Sequence, residues 1–188
     1  KGDNLVIITN AGGPGIIAAD AVEKSDVKLA ALTKETIDKL KQVLPPVAAL
    51  YNPVDIIGDA RDDRYRAAIE ILEKDPNVDS IMVILTPQSM TNATEIARAI
   101  AATNKTSSKP IFTSFMGGGL VEEGARILND NKVPNYLYPE RAVNSIEAMI
   151  NYRKRREIKR VFSEPFKVDK KTVRDIIERY KERKTPQL

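Results

Sequence analysis

The sequence contains no cysteine and no histidine. Without cysteine there can be no disulfide, no thiolate nucleophile and no thiolate metal site. Without histidine the commonest general base and the commonest metal ligand are missing, and the chain cannot carry a phosphohistidine of its own. Chemistry that needs an imidazole must draw it from another chain or another part of the polypeptide. No apolar run approaches the ~18 residues of a membrane span. Residues 1–20 lack the basic start and small-residue cleavage site of a signal peptide. The first residue is lysine, as expected of a processed or excised piece, and a cytoplasmic location is the expectation.

What remains is a globular, soluble mixture: 188 residues, 42 % apolar and 30 % charged, enough for one good-sized core or one domain with an appendage. The net charge of +4 is modest. Much of it lies in Arg153-Lys154-Arg155-Arg156 and Lys159-Arg160. With no interleaved aromatics and no nucleic-acid motif, this cluster reads as a solvated helix end.

The chain is organised around residues 5–24. Leu5–Ile8 is a continuous apolar run, the pattern of a strand buried on both faces. Thr9-Asn10-Ala11-Gly12-Gly13-Pro14-Gly15 reads as a tight small-residue loop, and Ile16–Glu23 as a helix. The glycines allow close backbone approach and positive φ, and Pro14 suits a first helical turn. Free N–H groups and the helix dipole make this corner an anion site, best suited to phosphate. Gly13-x-Gly15-x-x-Ala18 also fits the loose dinucleotide fingerprint. That fingerprint wants an acid just after the second strand, but the strand near Lys28–Leu32 runs into Thr33 and Lys34, and Glu35 belongs to the next helix.

Further along, Val27–Leu32 reads as a strand, and Thr33 caps a helix that runs to Leu44 and stops at Pro45-Pro46. Val47–Leu50 is extended and leads into Tyr51–Ala60, an ordered loop folded back towards the first corner. A helix from Asp62 to Lys74 precedes the strand Val78–Leu85, which ends in Thr86-Pro87-Gln88-Ser89-Met90 before a helix opened by Thr91. That corner too is expected to carry free N–H groups. Ile111–Phe115 is a strand ending in Met116-Gly117-Gly118-Gly119, and a helix Val121–Asn129 follows. Tyr136–Tyr138 is the last strand, and Pro139 opens a long helix with Val143, Ile146, Met149 and Ile150 inward.

Strands alternating with helices predict an α/β fold: a flavodoxin-like, doubly wound, five-stranded parallel sheet of order 2-1-3-4-5, with a C-terminal helical tail. The expected division is a domain over 1–158, then a linker and C-terminal helix over 159–188. In the tail Val161–Phe166 is extended, and Asp169 caps a helix from Lys170 to about Lys184 striped with Val173, Ile176, Ile177 and Tyr180. That helix either packs on the domain or docks a partner. Asp55, Asp59, Asp62 and Asp63 lack the alternation of a metal loop and suit capping and turns, so no metal site is expected. The triplets at Asn92 and Asn104 match a glycosylation signal that a cytosolic chain does not use. G-x-S-x-G, a Walker loop and a receiver-type acidic pair are absent.

Three stretches in order, Thr9–Gly15 with Ala18–Ala21, Asn52–Ala60, and Ile84–Gln88, resemble the ADP-forming acyl-CoA (acetyl-CoA) synthetases of the succinyl-CoA synthetase superfamily. The resemblance covers about residues 1–152. It implies an acid–CoA ligase, using CoA, ATP/ADP and Mg as a whole, in which a mobile histidine is phosphorylated and shuttles phosphate between an acyl/CoA site and a nucleotide site. It implies that Asn10, Ala11, Gly12, Gly13, Pro14 and Gly15 belong to one of two helix starts that hold the phosphohistidine. It places Thr86, Pro87, Gln88, Ser89 and Met90 around the acyl group, with the stretch Asn52–Asp59, Asn52 and Asp55 foremost, closing the same pocket. The implied partners are the histidine-bearing, CoA-binding and ATP-grasp parts of an oligomeric enzyme, with the carboxylic acid or acyl-CoA as substrate and no nucleic acid or membrane. The family's histidine is absent here, so the domain alone is expected to be catalytically incomplete and to bind no cofactor by itself. A nucleotide-binding oxidoreductase domain and a non-catalytic interaction module stand as alternatives.

Overall fold

The computed structural model describes residues 2–158 and 169–182. The chain divides into two units at Arg156/Glu157. The extended segment expected over Val161–Phe166, and Lys159-Arg160 of the basic cluster, lie outside the described residues.

The first unit runs β1 (Asn4–Thr9), α1 (Gly12–Glu23), β2 (Lys28–Leu29), α2 (Lys34–Val43), β3 (Val54–Asp55), α3 (Asp62–Glu73), β4 (Ser80–Leu85), α4 (Ala93–Asn104), β5 (Ile111–Phe115), α5 (Glu122–Asp130) and α6 (Pro139–Glu157). The strands form one parallel sheet in which β2, β1, β4 and β5 follow one another, and β3 also pairs with β1. The continuous apolar runs of β1 and β4 arise because each face of the sheet is covered. Val6 and Ile8 of β1, with Ile81, Val83 and Leu85 of β4, enter a core closed by Leu40, Tyr65, Ile69, Leu72, Ile96, Ile100 and Leu128. Leu5 and Ile7, with Met82 and Ile84, enter a second core closed by Ala18, Val22, Val143, Ile146 and Ile150. Period-two alternation thus sorts one apolar run into two cores.

The edges of the sheet differ from the expectation. β2 covers only two of the residues in Val27–Leu32, and a short strand, β3, stands where a loop was expected. β2 pairs with β1 at Asn4 and Leu5, and β3 at Ile8 and Thr9. Between them the Asn52 side chain takes the place of a strand. Its Nδ2 donates to the carbonyls of Leu5 (2.8 Å) and Ala30 (3.2 Å), and its Oδ1 accepts from Ile7 N–H (3.0 Å). The Asn52–Pro53 peptide is cis. At the far edge, Tyr136–Tyr138 is no strand; one bridge joins Asn135 to Thr113. Pro134 has no N–H to offer a ladder. The Asn135 side chain instead accepts from Thr113 Oγ1 and Phe115 N–H, both at 3.0 Å.

Helix starts also shift. α1 begins at Gly12, so the glycines form its first turn instead of a loop. The left-handed glycines of the chain are Gly117 and Gly118. α4 is capped by Asn92, which accepts from Glu95 N–H, and not by Thr91. Met149, expected inward, is 54 % exposed on α6.

The second unit contributes α7 (Lys170–Glu182). Asp169 caps it, accepting from Lys171 and Thr172 N–H at 3.1 Å each. Val173, Ile176, Ile177 and Tyr180 are exposed. Among the described residues no helix is long and apolar enough to cross a membrane.

Candidate functional site

Four loops leave the carboxyl ends of β1, β3, β4 and β5, and the structure brings them together. The β1 and β4 loops are tied through Asn10: its Nδ2 donates to Thr86 O, and its Oδ1 accepts from Thr86 N–H, both at 2.8 Å. The α1 start and the β3 loop meet where a Cβ on Gly12 would lie 3.7 Å from Asp55 Oδ2. The β3 and β4 loops meet where a Cβ on Gly58 would lie 3.4 Å from Gln88 Cγ. The β4 and β5 loops meet at Pro87 and Gly117.

The start of α1 is open within its own helix, with the Asp55 carboxylate of the β3 loop as its acidic neighbour. Its N-cap, Ala11, has no side chain to accept a hydrogen bond, and its first turn holds no acidic residue. The other α-helices of the first unit each carry an acid in the first turn: Glu35, Asp62 and Asp63, Glu95, Glu122 and Glu123, or Glu140. The corner after β4, expected to be open, is closed by Asn92 and Glu95. The backbone at the α1 entry is held by Thr9, whose Oγ1 donates to Ala11 O (2.7 Å) and accepts from Ala11 N–H (3.1 Å). Pro14 is the third helical residue and has no N–H, so the donors at the tip are those of Gly12 and Gly13. Both residues are exposed, and a Cβ on Gly13 would meet nothing within 4 Å. Gly15 is different: buried, its Cβ position lies 3.0 Å from Thr9 Cγ2 and 3.5 Å from Pro53 Cβ. Gly15 lets α1 sit down on the sheet, whereas Gly12 and Gly13 face outward.

Asp55 supports the neighbouring loop. Its Oδ1 accepts from Ile57 N–H at 2.9 Å, and Ile57 has φ of +68°. A β-branched residue there costs ~1–2 kcal/mol of backbone strain. Arg64 braces the same loop by donating to Ile56 O (2.9 Å) and Asp59 (2.5 Å). The Arg64 hydrogen bond holds the exposed Asp59 carboxyl below its ordinary range. Beneath Asp55, burial above all, and the Asp55 charge second, push the Tyr65 phenol upward.

The residues named from sequence therefore separate by what their atoms do. Ala11, Gly12, Gly13 and Asp55 surround the open helix start, and Pro14 shapes it. Thr86, Pro87 and Gln88 line the adjoining loop, with Ser89 and Met90 exposed at its far end. The Asn10 and Asn52 side chains are engaged with backbone and brace the strands. Glu35, near the acid position of a dinucleotide site, lies in α2 and pairs with Lys39 at 2.6 Å. Ile57 and Gly58 fall within the Asn52–Asp59 stretch expected to close the pocket, whereas Gly117 and the Thr9 side chain were not singled out. The glycine-rich loop after β5 was the one signal for Gly117. Among the described residues no three acidic side chains gather as a metal site would need.

The Ligase-CoA domain family matches residues 5–161. The chain is 39 % identical over 180 residues to "Acetate--CoA ligase [ADP-forming] I" of Archaeoglobus fulgidus, covering 95 % of this chain and 25 % of that protein. It is 39 % identical over 160 residues to "Acetate--CoA ligase [ADP-forming] II subunit alpha" of Pyrococcus furiosus, covering 82 % of this chain and 35 % of the subunit. The chain thus spans about a quarter to a third of the curated relatives it matches. Among solved structures, the dinucleotide forming acetyl-coenzyme A synthetase 1 of Ca. Korarchaeum cryptofilum, in complex with phosphate and ADP, superposes with a TM-score of 0.77 at 31 % identity, covering 83 % of this chain and 34 % of that one.

Proposed function

The chain belongs to the Ligase-CoA domain family, and on that premise we propose that it is one domain of an ADP-forming acyl-CoA synthetase. The whole enzyme converts a carboxylic acid, CoA and ATP into acyl-CoA, ADP and phosphate. This domain has no histidine to phosphorylate. Its task is to receive a phosphohistidine carried by another part of the enzyme at the start of α1, and to help enclose the acyl group.

The observation that carries this reading is the open start of α1: no cap, no first-turn acid, and free space beyond Gly13. A helix start favours a unit negative charge by ~0.3–1 kcal/mol when exposed and up to ~2 kcal/mol when partly buried. A doubly charged phosphoryl group between two such starts, one from each of two domains, gains more. The acyl group lies beside Thr86–Met90, with Asp55 and the β3 loop closing the same pocket. Asn10 and Asn52 act at one remove, by holding the strands that carry these loops. CoA binding, and nucleotide binding with its Mg ion, fall to the CoA-binding, histidine-bearing and ATP-grasp parts of an oligomeric enzyme. Residues 1–158 are assigned to the ligase domain, and 159–188 to a linker and C-terminal helix.

Two variants of the complete enzyme test the division of labour. Gly13→Val is expected to suppress histidine phosphorylation from labelled ATP by about tenfold or more, because the side chain fills the space the phosphoryl group needs. Gln88→Ala is expected to change the preference among acids while leaving that phosphorylation near the parent level. The opposite pattern, normal phosphorylation in Gly13→Val with altered acid preference, overturns the assignment of the two loops.

A further inference from the structure

Pro87 and Gln88 lie between two glycines from different loops. On one flank a Cβ at Gly58 would come 3.4 Å from Gln88 Cγ. On the other, a Cβ at Gly117 would come 2.3 Å from Pro87 Cγ and 2.7 Å from its Cδ. Gly117 has φ of +152°, a region that side chains rarely enter. The approach is held from behind. Met116 N–H donates to Leu85 O at 2.8 Å, joining the ends of β5 and β4, and Val121 Cγ1 lies 3.4 Å from the same Cβ position. The next residue, Gly118, has φ of +57° and faces open space.

We propose that Gly117 is a specificity-determining positioning residue: by letting the β5 loop press against Pro87, it sets the width of the pocket that takes the carbon chain of a short carboxylic acid. This rests on the placement of the acyl group beside Thr86–Met90 proposed above. Because β4 lies between β1 and β5, its loop has the β1 loop on one side and the β5 loop on the other. A side chain at position 117 drives Pro87 away from β5, towards Asn10 and Gly58, and narrows the pocket. Longer acids then lose more than shorter ones, because a misfit of one methylene costs about tenfold or more in discrimination. Pro87→Ala removes the two atoms that the new side chain would meet.

The test uses the complete enzyme and a series of straight-chain acids, with histidine phosphorylation from ATP followed alongside. Gly117→Ala is expected to raise KM increasingly with chain length while kcat for the shortest acid and histidine phosphorylation hold. The double variant Pro87→Ala/Gly117→Ala is expected to regain the longer acids. Gly118→Ala, which adds backbone strain without a clash, is expected to lower the melting temperature and leave the chain-length profile unchanged. Should Gly117→Ala fail to fold, Pro87→Ala alone carries the test, and is expected to shift preference towards longer acids. An equal loss for every acid, no recovery in the double variant, or an unchanged profile in Pro87→Ala overturns the proposal. If Gln88→Ala also leaves acid preference untouched, the placement of the acyl group is what fails. If Gln88→Ala shifts preference and Gly117→Ala does not, the role of Gly117 alone fails.

Discussion

Gly13 and Gly15 stand two residues apart in one helical turn, yet they answer to different constraints. Gly13 faces open space, while Gly15 rests against Thr9 and Pro53. Gly13→Val in the isolated chain should therefore cost no more than the ordinary helix penalty of valine, within ~1 kcal/mol. Gly15→Val should cost ~1–3 kcal/mol, because a branched side chain must push α1 off the sheet. Denaturant unfolding of the two variants measures the difference, and equal stability would show that the turn is not packed as described. Asn10 and Asn52 make a related point. As residue types in a small-residue loop and an N-P-V-D stretch, they read as ligand-binding groups. The structure engages both with backbone groups far away in sequence. Nothing local to either residue announces partners 45 or 76 positions away.

Elements with both faces buried were legible because burial writes itself into composition. β1, β4 and β5 stand close to where the apolar runs place them, and α2, α3 and α6 follow their caps and prolines. The edges were legible only in part: β2 falls inside the expected Val27–Leu32 strand and pairs with β1, whereas β3 and the bridge at Asn135 sit beside side-chain contacts of Asn52 and Asn135 that no local pattern shows. For α1, the backbone at the N-cap would accept a capping side chain that Ala11 does not have. Ala11 is extended, with φ −151° and ψ 129°, the conformation of an N-cap. Ala11→Asp should cap the helix and stabilise the isolated chain by ~0.5–2 kcal/mol. In the complete enzyme the same carboxylate should repel the phosphoryl group and depress histidine phosphorylation. A thermal melt and a labelling assay on the same variant check both halves. A gain in stability with full phosphorylation would mean the α1 start is not the phosphoryl site.

A second tie between elements is titratable. Buried Asp75, in the turn between α3 and β4, accepts from Thr33 N–H at the head of α2 and from Asn77 N–H, both at 2.8 Å. Burial raises its carboxyl, but hydrogen bonds from Thr36, Thr33 and Asn77 outweigh this and leave it below the ordinary value. A lowered folded-state value contributes stability that is fully present above the unfolded value near ~3.9 and is lost as pH falls through the folded one. Asp75→Asn should thus be less stable than the parent by ~1–3 kcal/mol at neutral pH. The gap should close as pH falls below about 4. Melting temperatures of both proteins across the acid range give the result, and a gap that persists unchanged would remove the carboxylate from the account.

At the scale of the whole molecule, the two-faced sheet places four loops on one edge, and one of the helices rising from that edge starts with its donors free. Alternation of strands and helices was enough to predict the edge at which these loops gather, because strand carboxyl ends face one way in a parallel sheet. What could not be read was which loops touch, since those contacts join Gly58 to Gln88 and Gly117 to Pro87 across long stretches of chain. The central claim is that the start of α1 receives a phosphoryl group brought by a histidine from elsewhere in the enzyme. The most direct measurement is a crystal structure of the complete enzyme with that histidine phosphorylated from acyl-CoA and phosphate. The account predicts phosphoryl oxygens at about 2.7–2.9 Å from the N–H groups of Gly12 and Gly13. A phosphohistidine seated elsewhere, with the start of α1 covered by other protein atoms, would contradict it.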